Sequence, residues 1–197
     1  GEGYALFHFQ QNKFVKKTFQ MNKYSRYLWR LNSRYLRLPK GWKDIYAMKK
    51  KVAFVTGIVN NDPKTGIFVR KHQHWNHRIM WNRMYRSNAK IFARKVIADS
   101  NGNVYVYGET TGSLHSQKHL GQRDLFLIKI SPKGKRLWTM QFGSEKDDTA
   151  TDIHITKNNS VLVTGSTKGD LDNTYNKGGA DICIFKIHPK GYLYKKR

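Results

Sequence analysis

NVYVYGETTGSL at 103–114 and SVLVTGSTKGDL at 160–171 stand 57 residues apart and carry the same Val, Gly, Thr and Leu positions. RDLFLIKISPKG at 123–134 stands over ADICIFKIHPKG at 180–191 at the same spacing. Extended without a gap, 93–140 aligns with 150–197, and 15 of the 48 positions are identical. Chance similarity rarely keeps Gly, Pro and Asp in register with an apolar alternation, so the chain contains an internal repeat.

The repeat runs backwards through the chain. WKDIYAMKKKVAFVTG at 42–57 matches ATDIHITKNNSVLVTG at 150–165. IFVRKH (67–72) and HRIMW (77–81) take the places of LFLIKI (125–130) and KRLW (135–138). TFQMNKYSRYLW at 18–29 matches LIKISPKGKRLW at 127–138, with YALFHFQ (4–10) as a strand before it. Each unit reads as four short strands, in the third unit 92–99, 103–109, 124–130 and 135–142. SNGN at 100–103 suits a tight hairpin, since Asn and Gly accept positive φ, and the P-K-G triplets at 132–134 and 189–191 are further turns. Leu125, Phe126, Leu127 and Ile128 put apolar side chains on both faces of the third strand. Such a sheet must be covered on both sides, and stacking on neighbouring units does that.

The expected fold is all-β. It consists of β-propeller blades of four antiparallel strands, three of them whole and one partial, in a single domain over 1–197. The blades fall at about 4–41 (partial), 42–91, 92–149 and 150–197. DSNGNVYVYGET (99–110), DLFLIK (124–129), PKGKRLW (132–138) and FGSEKDDTATDI (142–153) together resemble the bacterial-type β-propeller repeat known as the SBBP repeat. The resemblance implies a fold and no particular activity. A seven-bladed ring would need roughly 400 residues at this spacing. The expectation is therefore a four-bladed ring or part of a larger propeller, with a first blade lacking its innermost strand.

Charge is the second unusual property. The 197 residues carry 37 Lys+Arg against 13 Asp+Glu, a formal +24, and residues 1–100 hold 22 of the cations with 4 of the acids. Self-repulsion on that scale opposes compaction, and a polyanion is the common physical reason to tolerate it. Cys183 is the single cysteine, so neither an internal disulfide nor a cysteine-based zinc site is available. No apolar run reaches the ~20 residues that span a bilayer. A start at Gly1 rather than Met fits a removed targeting peptide.

RKHQHWNHRIMWNRMYR at 70–86 interleaves cations with aromatics, as phosphate contact and base stacking require. The repeat assigns Trp29, Trp81 and Trp138 to one structural position. Trp75 has no counterpart and is left to contact RNA or a partner protein. The expected RNA-binding set comprises Arg34, Arg37, Lys49, Lys50, Lys51, Arg70, Lys71, His72, His74, Trp75, His77, Arg78, Arg83 and Arg86. The three Lys at 49–51 occupy a hairpin turn and join Lys40 and Lys43 on that face. His72, His74 and His77 have no Cys nearby and no carboxylate near in sequence, so a solvated or RNA-facing role is preferred over metal binding. Asp147, Asp148 and Asp152 recur as a blade-connecting turn, and Cys183 aligns with Phe126 in a buried strand. No nucleophile–base pair or phosphate-cradling loop is visible.

These features give the expectation of a non-catalytic structural component of a ribonucleoprotein. A mitochondrial ribosomal protein of the matrix fits best, contacting rRNA and other ribosomal proteins, with no cofactor, no metal, no small-molecule substrate and no membrane span. A scaffold in another organellar complex is the second reading. An enzyme or carbohydrate-binding propeller with a channel site is the third.

Overall fold

The computed structural model describes residues 6–10, 13–17, 42–48, 52–58, 66–73, 78–87, 89–171, 174–176 and 178–194. Every element among them is a β-strand. In chain order these are β1 (Leu6–Gln10), β2 (Lys13–Lys17), β3 (Trp42–Met48), β4 (Val52–Ile58), β5 (Ile67–Gln73), β6 (Ile79–Tyr85) and β7 (Ile91–Ala98). Then follow β8 (Val104–Thr110), β9 (Asp124–Ile130), β10 (Arg136–Phe142), β11 (Asp148–Ile155), β12 (Val161–Thr167), β13 (Asp181–His188) and β14 (Tyr192–Leu193). They form antiparallel meanders: β3 to β6, β7 to β10 and β11 to β14 as four-stranded sheets, and β1–β2 as a two-stranded one. The chain is thus a series of propeller-type blades, and the strands of the third unit lie within a residue of the expected ones.

The repeat extends to irregularities. Each four-stranded sheet has a register shift in its first strand, at Trp42/Asp44, Ala93/Lys95 and Ala150/Asp152. A bulge of this kind sharpens the local twist of a sheet. The hairpin turns carry positive φ at Gly102 (79°) and Asn159 (61°). Asp99 closes the first of them by accepting from the backbone N–H groups of Asn101 (3.0 Å) and Asn103 (2.8 Å).

The central sheet, β7 to β10, is covered on both faces. All seven residues of β8 and all seven of β9 are buried. Phe126, Ile128, Val104 and Val106 pack with Phe54, Ile67 and Val69 of the preceding sheet. Tyr105, Tyr107, Leu125 and Leu127 pack with Val161, Val163, Cys183 and Ile187 of the following one. Cys183 is buried, and desolvation pushes its thiol up to about 11, so it is an inert core group.

Polar bonds fix how one sheet sits on the next, and they too repeat. Trp81 Nε1–H donates to the Pro132 carbonyl (2.9 Å), and Lys71 Nζ donates to the same oxygen (3.2 Å). One blade later, Trp138 Nε1–H and Lys129 Nζ donate to the Pro189 carbonyl at 3.1 and 2.9 Å. The acceptor belongs each time to the P-K-G turn of the following sheet. The glycine of that turn has positive φ, 84° at Gly134 and 89° at Gly191, and lies against the indole. A Cβ on Gly191 would come within 2.8 Å of the Trp138 ring, so both backbone angle and space demand glycine. Lys129 also lies over the Tyr105 ring, 5.2 Å from its centroid, and Lys71 over Phe54 at 5.8 Å. Desolvation lowers the pKa of both ammonium groups, with Asp99 opposing the shift at Lys129.

Two substitutions test this latch. Trp138→Ala removes the donor and the half-buried ring and should lower stability by about 2–3 kcal/mol in urea unfolding. Lys129→Met keeps the apolar stem and removes the donated bond, and should lower it by about 1 kcal/mol.

Candidate nucleic-acid interface

The β5–β6 hairpin places six of the sequence-derived cationic and histidine positions, and it divides them. Side chains alternate across a strand, so Ile67, Val69 and Lys71 face the central sheet while Phe68, Arg70 and His72 face the other way. Lys71 is committed to the Pro132 carbonyl. His72 is buried, at 5% exposure. Burial and the latch therefore remove these two from the set open to a phosphate. Arg70 is half-buried, its guanidinium over the Phe68 ring (5.2 Å) and its Nε–H donating to Asn82 Oδ1 (3.2 Å). Arg78, Arg83 and Arg86 are exposed. Arg34, Arg37, Lys49, Lys50, Lys51, His74, Trp75 and His77 lie outside the described residues.

Arg83 leads to a group that the sequence reading missed. Its Nε–H donates to the Gly134 carbonyl at 2.7 Å, which sets the guanidinium beside the β9–β10 turn. Lys133, Lys135 and Arg136 flank that carbonyl, and all three are exposed. Arg136 and Arg83 both act on the Tyr85 phenol. Burial drives its pKa up to about 12, and the two guanidinium groups pull it back. The latch between two blades thus gathers Arg83, Lys133, Lys135 and Arg136 onto one edge, with Arg86 just past the end of β6. The signal was present in the sequence: P-K-G-K-R is the turn that the preceding blade's Trp grips.

Away from this edge, charge in the central and last sheets is arranged differently. Glu109 is fully buried, pairs with Arg94 and Arg123, and accepts the Ala150 N–H at 3.0 Å. Asp147 pairs with Arg123 (3.4 Å) and Lys168 (4.0 Å), and Asp152 with Lys95 (3.5 Å). Asp148 accepts from Ser144 N–H (2.8 Å) and Oγ–H (3.1 Å), and burial raises its pKa. These acids stitch strands and sheets together. Arg83, Arg86, Lys133, Lys135 and Arg136 take part in none of the ion pairs among the described residues. No carboxylate among the described residues neutralises them.

Residues 86–115 match the family model of the SBBP beta-propeller repeat. The chain carries an SBBP-type β-propeller repeat. The matched segment covers β7, its hairpin turn and β8. Outside it, the repeat is carried by the internal alignment and by the repeated sheets. A search of the curated proteins finds no match.

His115 sits beside this edge, its ring edge-on to Tyr85 (centroids 5.5 Å) and its Nδ1 2.9 Å from Thr139 Oγ1. Desolvation, with Arg136 adding to it, lowers its pKa from 6.5 to about 4. The folded chain therefore holds it neutral, while the unfolded chain takes up a proton below pH 6.5. Stability is expected to fall as pH drops from 6.5 towards 4. His115→Asn, which tolerates the positive φ at this position (51°), should flatten that part of a melting-temperature profile between pH 7 and 4.

Proposed function

We propose that the chain is a non-catalytic structural component of a ribonucleoprotein, binding ribosomal RNA through the cationic edge of its blades and adjoining proteins through its sheet faces. A mitochondrial ribosome is the assembly that fits this reading best. Such a protein needs a rigid frame and phosphate contacts rather than a reaction centre. The observation that carries the proposal is the distribution of charge. Residues 1–100 hold 22 cations and 4 acids, and the exposed cations at the β6 edge and β9–β10 turn stand outside the internal ion pairs. Phosphate contacts position a protein on RNA without reading sequence, which suits a structural role.

A second reading, a protein scaffold in another organellar complex, is supported by the exposed apolar side chains of β13, Ile182 and Ile184. The two readings separate by salt. Binding to a ribosomal RNA fragment, followed by fluorescence anisotropy from 50 to 300 mM salt, should weaken steeply and linearly on logarithmic axes. Joint replacement of Arg86, Lys133 and Lys135 by Ala should make the slope shallower by about 2, at ~0.7 per lost contact to single-stranded RNA. An unchanged slope in that variant would remove the edge from the interface. Absence of binding at 50 mM salt would defeat the RNA reading itself.

A further inference from the structure

The P-K-G turn recurs in the last two sheets, but the residues that bracket it differ. Ser131 and Lys135 flank it in the central sheet, and His188 and Tyr192 flank it in the last. His188 and Tyr192 pair across β13 and β14, and their rings stack, with centroids 4.4 Å apart and planes 10° from parallel. The stack is held from behind. The Lys190 backbone N–H donates to His188 Nδ1 (3.1 Å), which fixes the imidazole plane, and the Tyr194 ring stands edge-on to it at 5.5 Å. Tyr194 is anchored in turn by its hydroxyl, 3.1 Å from Ser160 Oγ. Tyr192 is 50% exposed, so one face of its ring lies on the imidazole and the other is open to solvent. That exposure belongs to the turn itself. Lys135 holds the same position in a sheet covered on both faces, and it is exposed too.

The latch sets this stack beside the cationic edge. Trp138 Nε1–H and Lys129 Nζ both donate to the carbonyl of Pro189, the residue next to His188. Trp138 lies on β10, the strand that begins at Arg136, and Lys135 precedes it. Lys190, in the turn between the two stacked rings, is exposed as well. A fixed ring with an open face, one blade along from Arg83, Lys133, Lys135 and Arg136, lets a base stack while its flanking phosphates meet cations. We propose that the His188–Tyr192 stack is a platform for an unpaired nucleobase of the RNA that the cationic edge holds. The inference rests on the RNA reading and sharpens it. Phosphate contacts alone accept any polyanion of the right spacing, whereas this site takes a base.

The test compares two single-stranded probes of equal length and charge, oligouridylate and the same ribose-phosphate chain without bases. Each is titrated with the full chain and with Tyr192→Leu and Tyr192→Phe, by fluorescence anisotropy across a salt series. The central sheet forms its turn with Lys135 and no ring, so Tyr192→Leu should fold, with an unchanged melting temperature as the control. Tyr192→Leu is expected to weaken oligouridylate binding about tenfold, as loss of one base–aromatic stack should. It should leave binding of the abasic probe and both salt slopes unchanged, since no phosphate contact is lost. Tyr192→Phe keeps the ring and should bind both probes as the native chain does. Oligouridylate binding that is salt-dependent yet indifferent to Tyr192→Leu would overturn the platform and leave the RNA reading standing. An equal loss towards both probes would also overturn it, since the ring would then only shape the turn. Binding of neither probe by the native chain at 50 mM salt would defeat the platform together with the RNA reading. A tenfold dependence on Tyr192 for an acidic peptide of equal charge, and none for oligouridylate, would assign the ring to a protein partner instead.

Discussion

An indole N–H and a lysine ammonium converge on one proline carbonyl, and the stacking of blades depends on that convergence. A four-stranded sheet with two apolar faces has no intrinsic preference for where its neighbour sits, because hydrophobic contact is non-directional. The bonds from Trp81 and Lys71 to Pro132, and from Trp138 and Lys129 to Pro189, supply the direction. Each net bond contributes only about 1 kcal/mol. Burial of β8 and β9 contributes far more, yet it tolerates sliding that the latch does not. Aromatic rings from the donor sheet shield the ammonium, and glycine in the acceptor turn lets the indole lie flat against the backbone. A lost Trp or an added Cβ would loosen register before it loosened the core.

The latch also organises charge. It requires a turn at the outer edge of each blade next to the Trp of the one before, and cations in that turn are carried to the same place as cations on the fourth strand. Arg83 bonded to the Gly134 carbonyl, with Lys133, Lys135 and Arg136 around it, is the result. Elsewhere in the central and last sheets carboxylates are available, and Arg94, Lys95, Arg123 and Lys168 are paired with them. Cations drawn into pairs with acids hold sheets together. Cations without them are left to raise the potential of a surface that water and counterions must otherwise screen.

The fold was legible because a 57-residue period kept strand pattern, turn chemistry and Trp position together, and each of these has a structural reason to recur. The same alignment reserved Trp81 and Trp138 for structure, and their indoles bond to the next blade. Lys71 stands at the same repeat position as Lys129 and Lys186, yet its neighbours are cations. A lysine in a basic run reads as a surface charge, and only the three-dimensional approach of the next turn shows it to be a half-buried donor. His72 reads as RNA-facing for a similar reason: its neighbours in sequence are cations and aromatics, yet in β5 it is buried on the face turned away from the central sheet. Lys133, Lys135 and Arg136 were hidden by their role in the repeat, since a turn signal draws attention to its Pro and Gly rather than to the charges between them. The ion pairs of Glu109 and Asp147 could not be read at all, because they join residues far apart in sequence or in different sheets.

The two indole bonds are open to direct test by proton exchange. Nitrogen-15-labelled chain, with the Trp81 and Trp138 indole signals assigned by Trp→Phe replacement, would be transferred to deuterated buffer and followed by NMR. Both Nε1 protons are predicted to exchange well below the rate of a free indole, and replacing Lys129 by Met is predicted to speed the Trp138 proton while leaving the Trp81 proton unchanged. Exchange of both protons at the free rate in the folded chain would contradict the latch, and with it the claim that these bonds set one blade upon the next.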